Sequence, residues 1–140
     1  MILSDRDLKT LAKTGMLVAP YEESLVNPAS IDLRVGLNII REVGPGQWKE
    51  IYVGDSTQDD PFWISQGEFV LVETLERLLV PNGYALECKL KSSLARLGLD
   101  HSLAFWFDPG WNGIGTLELR NVTRYQSIPL WFGRRIVQII

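Results

Sequence analysis

One cysteine in 140 residues leaves no partner for an internal disulfide, so the fold must rest on its core alone. Cys88 lies between Leu86 and Leu90 in a strand-like run, a setting in which a thiol packs and does not react. Charge of one sign is also missing. Fourteen basic and seventeen acidic residues give a net charge of −3 without a long run of either, which excludes the diffuse electropositive footprint of a nucleic-acid polymer binder. No apolar stretch approaches membrane-spanning length, and the start, MILSDRDLKT, carries acids where a secretory leader needs a basic start and an apolar run. The expected location is the cytoplasm (the host's, if the gene is viral), with no membrane partner.

What is present is apolar content, 46% of the chain, enough for one compact domain spanning residues 1–140. The five Trp, four Tyr and five Phe fit a core or a subunit interface better than base-stacking platforms. Ser4 followed by Asp7 resembles a capping box, and Leu8 and Leu11 recur at helical spacing until Gly15, predicting a short N-terminal helix. From Ile31 the period changes to two. Ile31, Leu33, Val35, Leu37 and Ile39 alternate with Asp32, Arg34, Gly36 and Asn38, the pattern of a half-buried strand, and Gly44-Pro45-Gly46 closes it with a turn.

Further strands are predicted at Trp48–Val53, Glu68–Thr74, Tyr84–Leu90, Ser102–Phe107, Thr116–Asn121 and Arg135–Ile140, separated by short Pro- or Gly-containing turns. Asp55–Asp60 reads as a polar surface loop. Only Ser92–Leu97 breaks the pattern mid-chain, where two serines introduce a short helix-compatible segment. The fold class is therefore all-β (mainly β), a sandwich, jelly roll or distorted barrel with two short helices.

Three segments concentrate polar groups that a plain core does not require: Lys91-Ser92-Ser93-Leu94-Ala95-Arg96, Asp108-Pro109-Gly110-Trp111 and Thr116-Leu117-Glu118. Hydroxyls and backbone N–H groups at a helix start, with an arginine one turn later, can hold phosphate oxygens; they also suit a simple serine cap with a solvated arginine. Asp108 before Pro-Gly is a common turn sequence. Thr116, Glu118 and Arg120 share one strand face, so Glu118 is either a surface residue or an acid in a cleft.

In combination these segments are more specific. KSSLARLGL from Lys91, an aromatic strand running into FDPGW at Phe107, and TLELRN from Thr116 closely resemble the dCTP deaminase family of the dUTPase-like superfamily. ILSDRDL at Ile2, ESLVNPASIDLRVG at Glu23, GEFVLVETLE at Gly67 and RRIVQI at Arg134 extend the resemblance over nearly the whole chain. It implies a distorted β-barrel or jelly-roll subunit, a homotrimer, and active sites where subunits meet. It also implies that Ser92, Ser93 and Arg96 hold the triphosphate of dCTP or dUTP with Lys91, Leu94 and Ala95 beside them. Asp108 would contact the sugar or serve the phosphate chemistry, and Glu118 would be the catalytic acid/base, flanked by Thr116 and Leu117, with Ala104, Trp106 and Gln138 completing the substrate site.

Deaminating cytosine needs water to attack C4 while one group takes its proton and returns protons to N3 and the leaving amine, a task one carboxylate can perform. A zinc deaminase surrounds its metal with a His and two Cys, or three Cys, and His101 and Cys88 alone do not form that set. Magnesium is expected instead, carried by the triphosphate oxygens with its own waters and without a protein cage. The resemblance leaves three reactions: dCTP to dUTP, dUTP to dUMP, or both steps giving dUMP from dCTP. Glu118 in its TLE setting and the ILSDRDL segment favour deamination, and Trp106 and Gln138 resemble the dUMP-forming pattern, in which Asp108 helps activate the water that attacks the α-phosphorus. A trimer that binds nucleotide without turnover is the alternative from another class.

Some positions depart from the family pattern. Phe105 stands after Ala104 where glycine or histidine is usual and would narrow the base pocket, and Phe132 replaces a proline before Gly133. The connection from Leu99 to His101 is shorter than the family's and the stretch from Asn121 to Trp131 longer. Family members also continue past the position of Ile140 with a tail of Tyr, Lys and Gln residues that closes over the phosphates; this sequence stops before it, either because the tail is left out or because the protein is a minimal version, and a site without that lid would be more open to water.

Overall fold

The computed structural model describes residues 1–102 and 104–140. Helix α1 (Asp5–Lys13) starts at Ser4, whose extended backbone lets its hydroxyl accept the Asp7 N–H. The same hydroxyl donates to the Asp7 carboxylate at 2.8 Å, so the predicted capping pair closes side chain to side chain. Asp5 and Asp7 in the first turn and Lys13 in the last complement the helix dipole. Gly15, at φ +85°, ends the helix as expected.

The rest is mainly β. Along the chain come β1 (Leu17–Ala19), a 3-10 turn at Glu23–Leu25, β2 (Val26–Asn27), β3 (Ser30–Gly44), β4 (Gln47–Tyr52), β5 (Phe62–Ile64), β6 (Phe69–Leu79) and β7 (Leu86–Leu90). After the single-turn helix α2 (Ser92–Ala95) follow β8 (Leu99–His101), β9 (Trp106–Phe107), β10 (Asn112–Asn121), β11 (Ile128–Leu130) and β12 (Arg135–Ile139). One curled sheet runs in the order β8-β10-β6-β3-β12-β7-β9, with β1 also on β6 and both β2 and β4 on β3; β11 pairs with β5 separately. Ile31, Leu33, Val35 and Ile39 of β3, Val70, Val72 and Leu78 of β6, Leu117 and Leu119 of β10, and Ile136, Val137 and Ile139 of β12 are buried together in one cluster. Each such side chain contributes about 1.5–3 kcal/mol. Among the described residues no helix is long and apolar enough to cross a membrane.

Two strand expectations are corrected. β3 is not half-buried throughout as its alternation predicts: over Ser30–Leu33 the side chains of both faces are buried. Asp32 on its supposedly polar side is fully buried, whereas Leu37 is 46% exposed. The register of β3 against β6 shifts between Val35 and Ile39, and there Gly36 lies so close to β6 that a Cβ would meet the Thr74 carbonyl oxygen at 2.7 Å. The shift turns Leu37 outward. The predicted strand Ser102–Phe107 is also shorter, being strand only at Trp106–Phe107, while Leu103 lies outside the described residues. β8 pairs with β10 and β9 with β7 at opposite ends of the sheet order, so no single straight strand can join them.

The buried acids of this sheet are paired. Glu76, wholly buried on β6, accepts from Arg34 Nε at 2.7 Å and from the Arg34 backbone N–H at 2.8 Å, and Glu22 lies 3.0 Å from the same guanidinium. Burial works against the Arg34 charge, but the hydrogen bonds and attraction of Glu76, then of Glu22, outweigh it and raise its pKa. Replacing Arg34 by Met strands Glu76 in the core, and urea unfolding is expected to register a loss of about 3–5 kcal/mol. Cys88 is buried on β7, and burial pushes its thiol up to about 12. In native protein at pH 8 it is expected to resist a thiol-specific dye, and to react within minutes once denaturant opens the sheet; fast native labelling would contradict the packing described.

Candidate active site

At the end of β7 the chain leaves the sheet in a form the sequence only partly announced. The two serines do not precede α2 but form its first turn. Lys91 is the N-cap, with no side-chain cap bond, and its carbonyl accepts the Leu94 and Ala95 N–H groups at 3.0 and 3.1 Å. Leu94 is 1% exposed and anchors the turn in the core, whereas Ser92, Ser93, Ala95 and Arg96 are exposed. No carboxylate among the described residues lies within ion-pair distance of Arg96. The segment thus presents two hydroxyls and a guanidinium on one short turn, groups suited to an anion.

Lys91 and Gln138 turn elsewhere. The Lys91 ammonium donates at 2.8 Å to both oxygens of the buried Asp32, and Asn27 Nδ2 donates to the same carboxylate at 2.8 Å. Gln138, opposite Asp32 in the β12–β3 register, accepts the Ser30 hydroxyl at 3.0 Å. Sequence reasoning missed Asp32, because alternation assigned it to solvent. Leu94 and Leu117, both in the expected substrate set, bury their side chains, so only their backbones can meet a ligand.

β9 delivers the second segment. Phe107 faces inward with its ring 5.6 Å from that of Trp111, and Asp108-Pro109-Gly110-Trp111 closes as a turn with the Trp111 N–H donating to the Asp108 carbonyl at 3.1 Å. Asp108 is exposed, and its carboxylate accepts the Trp106 indole N–H at 3.2 Å instead of capping its own backbone. Trp106 itself is 62% exposed at the edge of a mostly apolar cleft formed with Leu3, Tyr84 and Ile140. Ala104 is exposed beside it on the link from β8.

On β10 the expected alternation holds: Thr116 and Arg120 are exposed, Leu117 and Leu119 buried. A register shift against β6 between Ile114 and Thr116 sets this phase, and the Gly115 N–H there donates to the Thr74 hydroxyl at 2.9 Å. Glu118 is half-buried, and its Oε2 is buried without a hydrogen-bond partner among the described residues. An orphaned buried acceptor costs about 1–3 kcal/mol, a cost relieved by a water or a ligand donor. The Glu118 carbonyl accepts the Ser102 N–H at 3.2 Å, and His101, opposite Leu119, has a buried Nδ1 also lacking a partner among the described residues and a ring 4.4 Å from Phe105. Neither His101 nor the place of Phe105 against it was evident from composition.

Within one chain the expected residues fall into separate groups. Trp106 holds Asp108, and Lys91 and Gln138 meet through the Asn27–Ser30–Asp32 network. Among the described residues no hydrogen bond or ion pair joins Ser92, Ser93 or Arg96 to Asp108 or Glu118. In the sheet order β10 is separated from β7 and β9 by β6, β3 and β12. No three His, Cys, Asp or Glu side chains among the described residues are grouped to hold a metal.

Comparison with known proteins shows the family. A family model described as dCTP deaminase-like matches residues 2–140. A Mycobacterium marinum protein named "dCTP deaminase, dUMP-forming" is 42% identical over 150 aligned residues, covering 99% of this chain and 78% of its own length. Proteins of the same name from Mycolicibacterium vanbaalenii and Rhodococcus jostii are each 40% identical with 99% of this chain covered, and 78% and 79% of theirs. The solved 2'-deoxycytidine 5'-triphosphate deaminase from Agrobacterium tumefaciens shares the fold with a TM-score of 0.79 at 23% identity, over 99% of this chain and 46% of that one. The chain belongs to the dCTP deaminase-like family.

Proposed function

We propose that the protein converts dCTP to dUMP, deaminating the base and hydrolysing the triphosphate. The observation that carries the activity is the 42% identity, across 99% of this chain, to a protein named "dCTP deaminase, dUMP-forming". The unpartnered Glu118 oxygen on the exposed-side row of β10 supports placing the chemistry there. Glu118 takes a proton from the water that attacks C4 and passes protons to N3 and the departing amine, so that water plus cytosine give uracil and ammonia. Thr116 stands two residues away on the same face, and the backbones of Leu117 and Ala104 border the base. Ser92, Ser93, Ala95 and Arg96 take the triphosphate, where Arg96 is the protein's own cation. Asp108 orients the second water, which attacks the α-phosphorus and releases pyrophosphate, and the indole of Trp106 fixes that carboxylate.

Magnesium fits as an ion carried by the substrate, since Mg²⁺ is satisfied by phosphate oxygens and waters without an all-protein cage. When bound it offsets phosphate charge; recognition of the chain falls to α2.

The remaining parts of the reading concern assembly and place. We take residues 1–140 as one domain, a distorted barrel or jelly roll, on the strength of its single buried cluster. Three copies assemble so that α2, the Asp108 turn and Glu118 of different subunits meet, which accounts for their separation within one chain. Leu37, Ile114 and Tyr52, exposed at 46%, 42% and 61%, supply apolar surface for such an interface. A nucleotide substrate agrees with a cytoplasmic enzyme.

Incubation with magnesium and dCTP, resolved by chromatography, is expected to give dUMP, ammonia and pyrophosphate without accumulation of free dUTP. Glu118→Gln should lower the rate by about 10²–10⁴-fold. Accumulating dUTP would reduce the enzyme to a deaminase, hydrolysis of dUTP alone would make it a dUTPase, and binding without turnover would make it a nucleotide-binding trimer. Sedimentation is expected to give a particle three times the chain mass; a monomer that still turns over would remove the shared-site model.

A further inference from the structure

Asp32 belongs to none of the segments assigned to substrate, yet it is the hub of the polar network beneath them. It is wholly buried on β3, with Lys91 Nζ at 2.8 Å from both its oxygens, Asn27 Nδ2 at 2.8 Å and Arg135 Nη1 at 3.4 Å. A buried carboxylate demands such partners, and removing one is costly. Of these partners Lys91 is the consequential one, because its backbone is the pivot of α2. Its N–H donates to the Ile136 carbonyl at 3.1 Å and its own carbonyl receives the Leu94 and Ala95 N–H groups. The turn bearing Ser92, Ser93 and Arg96 is therefore fixed at two points, Leu94 in the core and Lys91 through Asp32.

We propose that Asp32 is a positioning residue for triphosphate binding: its buried carboxylate clamps the Lys91 side chain, sets the α2 turn, and occupies the Lys91 charge, which therefore does not serve as a phosphate counter-charge. The inference rests on the reading in which Ser92, Ser93 and Arg96 take the triphosphate. The geometry separates two roles for Lys91 that make opposite predictions. If Lys91 met phosphate directly, neutralising Asp32 would free a cation and tighten binding. If Lys91 is an anchor, the same change loosens the turn and weakens binding.

The test is Asp32→Asn, read by calorimetric titration with inorganic triphosphate and magnesium and by the kinetics of dCTP turnover, on protein whose fold is verified by circular dichroism. Dissociation constant and KM are expected to rise together by about ten-fold, with kcat within about three-fold, because Glu118 on β10 is not part of the clamp. Unchanged or tighter triphosphate binding would overturn the proposal. A purely structural role would lower the melting temperature but leave the dissociation constant of the folded protein unmoved, which also overturns it. Should Asp32→Asn fail to fold, Asn27→Ala decides: it removes a donor to Asp32 without altering any charge, so weaker triphosphate binding supports the clamp and unchanged binding refutes it. A wild-type protein that binds no triphosphate would instead refute the functional reading itself, and this inference with it.

Discussion

A carboxylate buried without exposure must be matched by donors, and on β3 that demand shapes what surrounds it. Asp32 and Arg34 are two residues apart on a strand that pairs with four others. One draws Lys91 of β7's end and Arg135 of β12 inward; the other draws Glu76 of β6 and Glu22 of the preceding turn. Each pair spans elements distant in sequence, so the ionic contacts select register where apolar packing alone would accept a slip. Such pairs do not add much stability against an apolar alternative. Their consequence is specificity: β12, β7 and α2 can sit only where Asp32 is answered.

The groups proposed to act on substrate lie where that order stops. α2 follows directly on the clamped Lys91 and carries two exposed serines and an exposed arginine that has no ion-pair partner among the described residues. Asp108 stands on a rigid Pro-Gly turn with an indole holding its carboxylate. Glu118 projects from a strand whose register is set by a shift at Gly115, with one oxygen that has no partner among the described residues. Unsatisfied groups on well-supported backbone are what a site for a charged, polar substrate requires. Among the described residues no hydrogen bond or ion pair joins them within one chain, and the proposed assembly of copies is what would bring them to one nucleotide.

Local chemistry was legible wherever the deciding contacts are near in sequence. The Ser4 cap and Gly15 stop of α1, the Gly44–Gly46 turn and the alternation of Thr116 to Arg120 each depend on neighbours within a few residues. The order of KSSLAR, FDPGW and TLE pointed to the family that the relatives then showed. The serines of α2 misled in detail, because hydroxyl residues favour caps in general while here the N-cap is the clamped Lys91.

The sequence by itself determined a mainly β chain, the family, and the residue types available for phosphate and proton chemistry, because these follow from period, turn residues and motif order. Only the tertiary structure decided that Asp32 is inside and Leu37 outside, that the strand expected at Ser102–Phe107 is strand only at Trp106–Phe107, that Lys91 faces a carboxylate, and that Glu118 Oε2 has no hydrogen-bond partner among the described residues. The reason is the same in each case. Those outcomes are set by which distant strand lies alongside, and the contact between Asp32 and Lys91 bridges 59 positions of chain, a span over which local pattern carries no information.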